Sequence, residues 1–380
     1  MKTVVAETVM LGREAFETLG EVVVIPDRQI GPQDLADADA LIIRSKTKAT
    51  ADLLDGSPVR FVGTATAGFE HIDFQWLEKQ QIGWCAAPGC NANSVADYIM
   101  AALLHLDIEL EGRTLGIIGV GQVGSRVAKR TEALGLRVLL NDPPREAGET
   151  FQALENSKPV GAADFQPLGT LLKASDIVTL HVPLIAEKPW PTLKMADCRF
   201  FEKMKRGSVF INASRGKVLD SDALLHAKAN GILSHAVLDV WDPEPGIRTD
   251  VLAAADIATA HIAGHSLEGK LNGTIQVYRE ACQFFEIQPT WDPTPLLPAV
   301  SVPNLEIDSR RKSDLDVLAE TVASTYTILA DDAALRRAVD KFDFLRANYG
   351  VRREFFNTTV ILSEGRPDLL QKLRTLGFNA

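Results

Sequence analysis

The sequence predicts an α/β protein built from two doubly wound parallel-sheet domains, followed by a smaller α+β domain. Three observations carry that prediction. Short, nearly continuous apolar runs alternate with helical stretches from Thr3 to His261, as strands buried on both faces require. A glycine-rich turn, Gly119-Val120-Gly121-Gln122-Val123-Gly124, falls inside that series rather than at its start. After Phe285 the composition changes, with Pro289, Pro293, Pro295 and Pro298 forming a stiff linker.

The elements follow in order. Strands are expected at Thr3–Ala6, Glu21–Ile25, Ala40–Ile43, Phe61–Gly63 and Ile82–Cys85, with helices at Gly12–Leu19 and Phe74–Lys79. Asn93 is placed to cap a long helix through Ala96, Ile99, Ala102 and Leu106, whose spacing of three and four marks a buried helix. A second series comprises Thr114–Val120, Arg137–Asn141, Ile177–Val182, Ser208–Asn212, His235–Val240 and Ile257–His261. Val123–Leu134, Lys194–Met204 and Ser221–Ala229 read as the intervening helices. A helix from His265 to Phe285 leaves the last strand and crosses back to the first domain, giving a two-stranded hinge over a cleft. Past the linker, Ser301–Ile307 and Phe355–Leu362 read as strands, and Ser313–Leu329 and Pro367–Leu376 as helices. The expected domains are therefore 1–94 with 265–285, then 95–264, then 286–380.

Length and composition narrow the function. A chain of 380 residues exceeds one ordinary core. Its 46% hydrophobic and 24% charged residues are those of a soluble globular protein. The start, MKTVVAETVM, is a first strand and lacks the features of a signal peptide. Charged residues interrupt every apolar run before it is long enough to span a bilayer. A net charge of −10 argues against nucleic acid as a partner, but leaves room for a small anion in a cationic pocket. Cys85, Cys90, Cys198 and Cys282 form no Cys-x-x-Cys pair, and no histidine cluster completes a zinc site. They read as small buried residues of a reducing cytoplasm, and no metal is expected.

The glycine motif becomes informative through its context. It ends an apolar strand and opens a helix, so Gly119 permits the turn, Gly121 admits a pyrophosphate and Gly124 allows close helix packing. The pyrophosphate would lie at the N-terminus of the helix. Asp142, 18 residues after Gly124, ends the next strand, where an acid accepts hydrogen bonds from a ribose. Its charge repels a 2′-phosphate and favours NAD over NADP, a preference softened by Arg145. Asp142 is also a plausible turn residue before Pro143-Pro144.

Three further segments end successive strands: Asn212-Ala213-Ser214-Arg215-Gly216, Asp239 through Pro245, and His261-Ile262-Ala263-Gly264. In an open parallel sheet such ends border the ligand crevice. Oxidation of a 2-hydroxy acid needs a cation for the carboxylate, a base for the hydroxyl proton and a neighbour that tunes the base. The planar fork of Arg215 suits the first. His261 suits the second, and Glu244 the third, by fixing the imidazole tautomer. Singly, each has a plainer explanation: Arg215 an exposed turn, Glu244 a proline-flanked loop, His261 a satisfied core histidine. Together, after a dinucleotide motif, they favour catalysis. His181, before Pro183, is placed near the cofactor.

These segments, with SDIVTLHVP, resemble the D-isomer-specific 2-hydroxyacid dehydrogenase family over roughly residues 1–285. The resemblance implies a flavodoxin-like substrate domain, a Rossmann NAD domain and catalysis by Arg215, Glu244 and His261. It implies that Asp239 and Gly264 lie near the nicotinamide, that Gln122 and Val123 meet the pyrophosphate, and that Ala213 and Ser214 line the cofactor site. GTATAGFEHID, APGCNANSVADYI, NDPPR and the LEGK after HIAG narrow the likeness to a branch that oxidises a phosphorylated 2-hydroxy acid for pyridoxal 5′-phosphate synthesis in the cytoplasm. That branch implies substrate contacts from Ser45 and Thr66, and a homodimer made by the C-terminal domain. The chain departs from it where His265 replaces a substrate-contacting tyrosine and Ser266 a threonine, and the loop Lys188–Met195 is unusual. A dianionic phosphate calls for charge-assisted hydrogen bonds, for which Arg44, and Arg346 of a partner subunit, are the candidates. Two competing readings stand beside this one: a phosphoglycerate or hydroxypyruvate type of the same family, and an NAD-sensing regulatory protein.

Overall fold

The computed structural model describes residues 1–106, 108–148 and 165–380, which form two compact units: 1–91 with 266–299, and 92–265 with 300–380.

The first unit holds strands β1 (Lys2–Ala6), β2 (Glu21–Ile25), β3 (Ala40–Ile43), β4 (Phe61–Thr64) and β5 (Gly83–Cys85), all parallel, in the order β2-β1-β3-β4-β5. Every residue of β3 and β4 is buried, which explains the apolar run Ala40–Ile43 and leaves Thr64 as a buried polar residue at the end of β4. The helix expected from His265 is Leu267–Phe284, capped by Ser266, whose Oγ accepts from Gly269 N at 2.8 Å. Ser266 therefore performs the capping that a threonine would. The proline-rich stretch is held to this unit, where the Tyr278 hydroxyl accepts from the Thr290 and Trp291 N–H groups at 3.0 and 3.2 Å.

In the second unit the six strands are β6 (Thr114–Ile118), β7 (Arg137–Asn141), β8 (Ile177–Leu180), β9 (Ser208–Asn212), β10 (Leu233–Leu238) and β11 (Ile257–Ala258). Their order is β11-β10-β9-β8-β6-β7, all parallel, and Phe165 bridges Leu140 on the outer side of β7. The chain reverses direction across the sheet between β6 and β8, so the glycine turn that follows β6 lies at the topological switch point. Ala92–His105 is the long buried helix. It begins one residue before Asn93, which is therefore not its cap; Asn93 Oδ1 instead accepts from Arg126 Nε at 3.0 Å. The helix expected over Lys194–Met204 is confined to Cys198–Glu202, because Asp197 caps it and Lys194 is left-handed at φ 50°.

The C-terminal residues pair β12 (Asn304–Ile307) with β13 (Thr359–Leu362), again parallel. The single helix expected over Ser313–Leu329 is two, Asp314–Thr325 and Ile328–Arg337, and Phe355–Asn357 is a 3-10 turn rather than strand. Val317, Val322, Leu369 and Leu373 share one buried cluster with Val95, Ile99 and Leu103 of the long helix. A buried ion pair between Arg130 and Asp97 lies beside this join, and Asp97 also accepts from Phe355 N at 3.1 Å.

No described helix is long and apolar enough to cross a membrane, and no described group of His, Cys, Asp or Glu is arranged to hold a metal. The four thiols are free. Cys90 and Cys282 are buried, whereas Cys198 is exposed and Cys85 half-buried, so the expectation of burial fails for those two.

Candidate functional site

The glycine turn has the form its sequence requires. Gly119 is left-handed at φ 84°, and a Cβ on Gly124 would lie 2.1 Å from the Gly119 carbonyl oxygen. Gly121 caps the helix Gln122–Thr131, with no side chain in the capping position. Gln122 Oε1 accepts from Arg126 at 2.8 Å, and Val123 packs on the core. The His181 carbonyl lies against Gly119, within 2.5 Å of where a Cβ there would stand. Burial holds the His181 ring near a pKa of about 3, hence neutral.

Asp142 fills the turn role read from its position, and its carboxylate is also tied to the glycine turn. One carboxylate oxygen accepts from Val120 N at 2.7 Å, inside the glycine turn; the other caps Pro143–Glu146 through Arg145 N at 3.2 Å. The Arg145 guanidinium bonds the Val120 carbonyl. A glycine turn at the switch point, with an acid bonded to it, fits an adenine dinucleotide.

The ends of β9, β10 and β11 are tied to one another. Asn212 Oδ1 accepts from Ser214 N and Oγ at 3.1 and 2.8 Å, while its amide donates to Arg215 O at 3.1 Å. Ser214 is buried, and Arg215 Nη1 donates to the Ser214 carbonyl at 2.9 Å. Gly216 touches the neighbouring segment so closely that a Cβ would lie 1.8 Å from Trp241 O. Trp241 N donates to Glu244 Oε1 at 2.9 Å, and its ring Nε1 to Thr259 O at 2.9 Å. Asp239, 1% exposed, accepts from Thr259 Oγ1, Ile262 N and Ala263 N at 2.6, 2.7 and 2.9 Å. It thus fixes the turn that continues to Gly264.

Within this frame His261 Nδ1 lies 2.8 Å from Glu244 Oε2. Their side chains are 33% and 22% exposed, so the pair is sheltered yet reachable. Burial pushes the Glu244 carboxyl up. The His261 hydrogen bond and charge, the Trp241 N–H and the Arg346 charge outweigh that and hold it below its ordinary value. Neutral His261 donates from Nδ1 to the carboxylate, which leaves Nε2 as the proton acceptor.

Within this chain the Arg346 charge acts on Glu244, and the helix Phe342–Ala347 belongs to the same compact unit. His265 faces the C-terminal residues as well, its ring 6.3 Å from that of Tyr349. In the first unit, Arg44 and Ser45 follow β3 and Thr66 follows β4. Thr66 Oγ1 donates to Gly68 O at 2.7 Å and bonds Thr64 Oγ1 at 2.8 Å, which in turn bonds His71 Nε2 at 2.8 Å. Asn212, Trp241 and Thr259, which hold the three strand ends together, were not singled out from sequence. Many of their partners are backbone groups, such as Arg215 O and Thr259 O, which leave no residue pattern.

Residues 96–263 match the D-isomer specific 2-hydroxyacid dehydrogenase NAD binding domain, and residues 296–377 match a domain of unknown function. A solved D-lactate dehydrogenase from Aquifex aeolicus, in complex with NAD and lactic acid, is 26% identical, with a TM-score of 0.62 over 75% of this chain and 95% of that one. The fold and site are thus those of an NAD-dependent 2-hydroxyacid dehydrogenase. Over its full length the chain is 43% identical to an erythronate-4-phosphate dehydrogenase of Cronobacter sakazakii, covering 98% of it, and 41% identical to one of Proteus mirabilis, covering 99%. The chain belongs to the D-isomer specific 2-hydroxyacid dehydrogenase family, in the branch of these relatives.

Proposed function

We propose that the protein oxidises 4-phospho-D-erythronate to 2-oxo-3-hydroxy-4-phosphobutanoate with NAD, a step of pyridoxal 5′-phosphate biosynthesis. The observation that carries the chemistry is the 2.8 Å pairing of His261 with Glu244. The full-length likeness to the erythronate-4-phosphate dehydrogenases supports the phosphorylated substrate.

NAD, when bound, supplies the hydride acceptor. Gly119, Gly121, Gln122, Val123 and Gly124 would hold its pyrophosphate, Asp142 its ribose, and Ala213, Ser214, Asp239 and Gly264 its nicotinamide end. Arg215 grips the substrate carboxylate and orients C2. His261 Nε2 takes the C2 hydroxyl proton as the hydride leaves C2, and Glu244 stabilises the imidazolium that forms. Arg44, Ser45 and Thr66 of the first unit are substrate-binding candidates by family resemblance; in the second unit His265 would contact the substrate and Arg346 its phosphate. Arg346 suits that task in cis, since its Nε is buried with no hydrogen-bond partner among the described residues.

We further propose a homodimer through the C-terminal residues. Leu329, Phe344, Val351, Phe356 and Ile361 supply half of the ten large hydrophobic side chains exposed among the described residues. Phe344→Glu with Val351→Glu should yield a monomer by sedimentation; an unchanged dimer rejects this surface.

The test of the activity is NADH formation with 4-phosphoerythronate, erythronate, 3-phosphoglycerate and glycerate. Preference for the first is expected; indifference to the phosphate, or preference for a three-carbon acid, rejects the assignment.

A further inference from the structure

The strand that carries His261 is unusually short. β11 has two residues, pairs with β10 on one side only, and ends the sheet. Its free edge would leave backbone groups without partners. Asp332, in the C-terminal helix Ile328–Arg337, meets that need: its Oδ1 accepts from Ala258 N at 2.7 Å. Arg336 braces the same carboxylate at 2.8 Å and donates to the carbonyls of Leu252 and Ala255 at 3.0 and 2.8 Å.

A second hold lies just beyond the histidine. Arg352, 7% exposed, places Nη2 2.5 Å from Ala263 O and 3.2 Å from Ser94 O, and also bonds Ser94 Oγ. Ser94 Oγ itself donates to Ala263 O at 2.8 Å. The guanidinium lies over the Tyr326 ring, 4.5 Å from its centre. His261, between the two holds, has φ 54°, a left-handed conformation that a histidine keeps only when its surroundings impose it. Asp239 restrains the turn from inside the sheet; Asp332 and Arg352 restrain it from the C-terminal residues.

We propose that the C-terminal residues position the catalytic turn in cis, Asp332 gripping β11 three residues before His261 and Arg352 gripping the Ala263 carbonyl two residues after it. The role assigned to His261 rests on the reading above; the clamp itself does not. It gives residues 300–380 a part in the reaction of their own subunit, separate from any part in assembly. Asp332 and Arg352 are positioning residues: neither is assigned a contact with substrate.

The experiment uses the full-length protein with Arg352→Lys, Ser94→Ala, Asp332→Ala and Asp332→Asn. Steady-state kinetics is paired with NMR of the His261 ring, assigned through His261→Gln. In Arg352→Lys and Asp332→Ala, kcat should fall by about tenfold or more, the scale of a small misplacement of a reacting group. KM for NAD should stay within about twofold. Asp332→Asn keeps an acceptor for Ala258 N–H and should retain most of kcat, and the His261 resonances should move in Arg352→Lys and Ser94→Ala without substrate. If Arg352→Lys does not fold, Ser94→Ala and Asp332→Ala carry the test. Unmoved His261 resonances in folded variants overturn the proposal, as does activity lost only in proportion to folded protein. A wild-type protein inactive on 2-hydroxy acids, but with resonances that move in the variants, overturns the function and upholds the clamp.

Discussion

Glu244 uses both carboxylate oxygens, Oε2 on His261 Nδ1 at 2.8 Å and Oε1 on Trp241 N at 2.9 Å, so the imidazole is aimed by a group that is itself anchored to the backbone. His261→Asn should lower kcat by about 10²- to 10⁴-fold, the usual contribution of a general base. Glu244→Gln should cost less than Glu244→Ala, since the amide keeps an acceptor for one of the two N–H groups. Single-turnover kinetics of the three variants checks the order; equal losses for Gln and Ala would show that only the charge matters.

The same pair predicts a pH effect on stability. The folded-state value of Glu244 is lowered, so its stabilising contribution is fully present above the ordinary carboxylate range and is lost as pH falls through the lowered value. Glu244→Gln should therefore flatten part of the acid limb of Tm against pH, below about pH 4.5. An unchanged limb, measured by calorimetry, would mean that the pairing adds nothing to folding.

Asp142 joins cofactor choice to the shape of the glycine turn. Asp142→Asn should weaken the Val120 N–H bond and remove the charge that repels a 2′-phosphate. The expected result is a rise in KM for NAD of about tenfold, near the 1.4 kcal/mol scale of a charge-assisted hydrogen bond, with NADP use improved relative to wild type. Cofactor kinetics with NAD and NADP decides this. Unaltered preference would assign Asp142 to the turn alone.

Gly216 tests how tightly Arg215 is seated. A methyl group at this position collides with Trp241 O at 1.8 Å, and backbone cannot yield as a flexible side chain does. Gly216→Ala should destabilise by about 1–3 kcal/mol and reduce kcat/KM for the hydroxy acid more than NAD binding. Loss of stability with intact kcat/KM would separate the two segments functionally.

Much of this architecture was legible in the residues. Strands such as Ala40–Ile43 follow from apolar runs buried on both faces, which leave no polar alternation to misread, whereas Glu21–Ile25 and Arg137–Asn141 are only partly covered. The Glu244–His261 pair was legible because both residues follow successive strands, and strand ends of a doubly wound sheet share one crevice. The C-terminal residues were harder: Leu335 and Phe342 face a core made by Val251 and Leu252, so their periodicity answers to a distant surface. The positioning contacts of Asp332 and Arg352 left no pattern in the sequence, since the groups they hold at Ala258 and Ala263 are backbone.

The proposed hydride removal from C2 of 4-phosphoerythronate, with His261 as the base, is tested most directly by isotope transfer. Substrate deuterated at C2, incubated with NAD and the wild-type protein, should pass its deuterium to NADH and show a primary isotope effect in single turnover. His261→Asn should transfer the same label far more slowly. NADH free of deuterium, or a His261→Asn rate equal to wild type, would contradict the account.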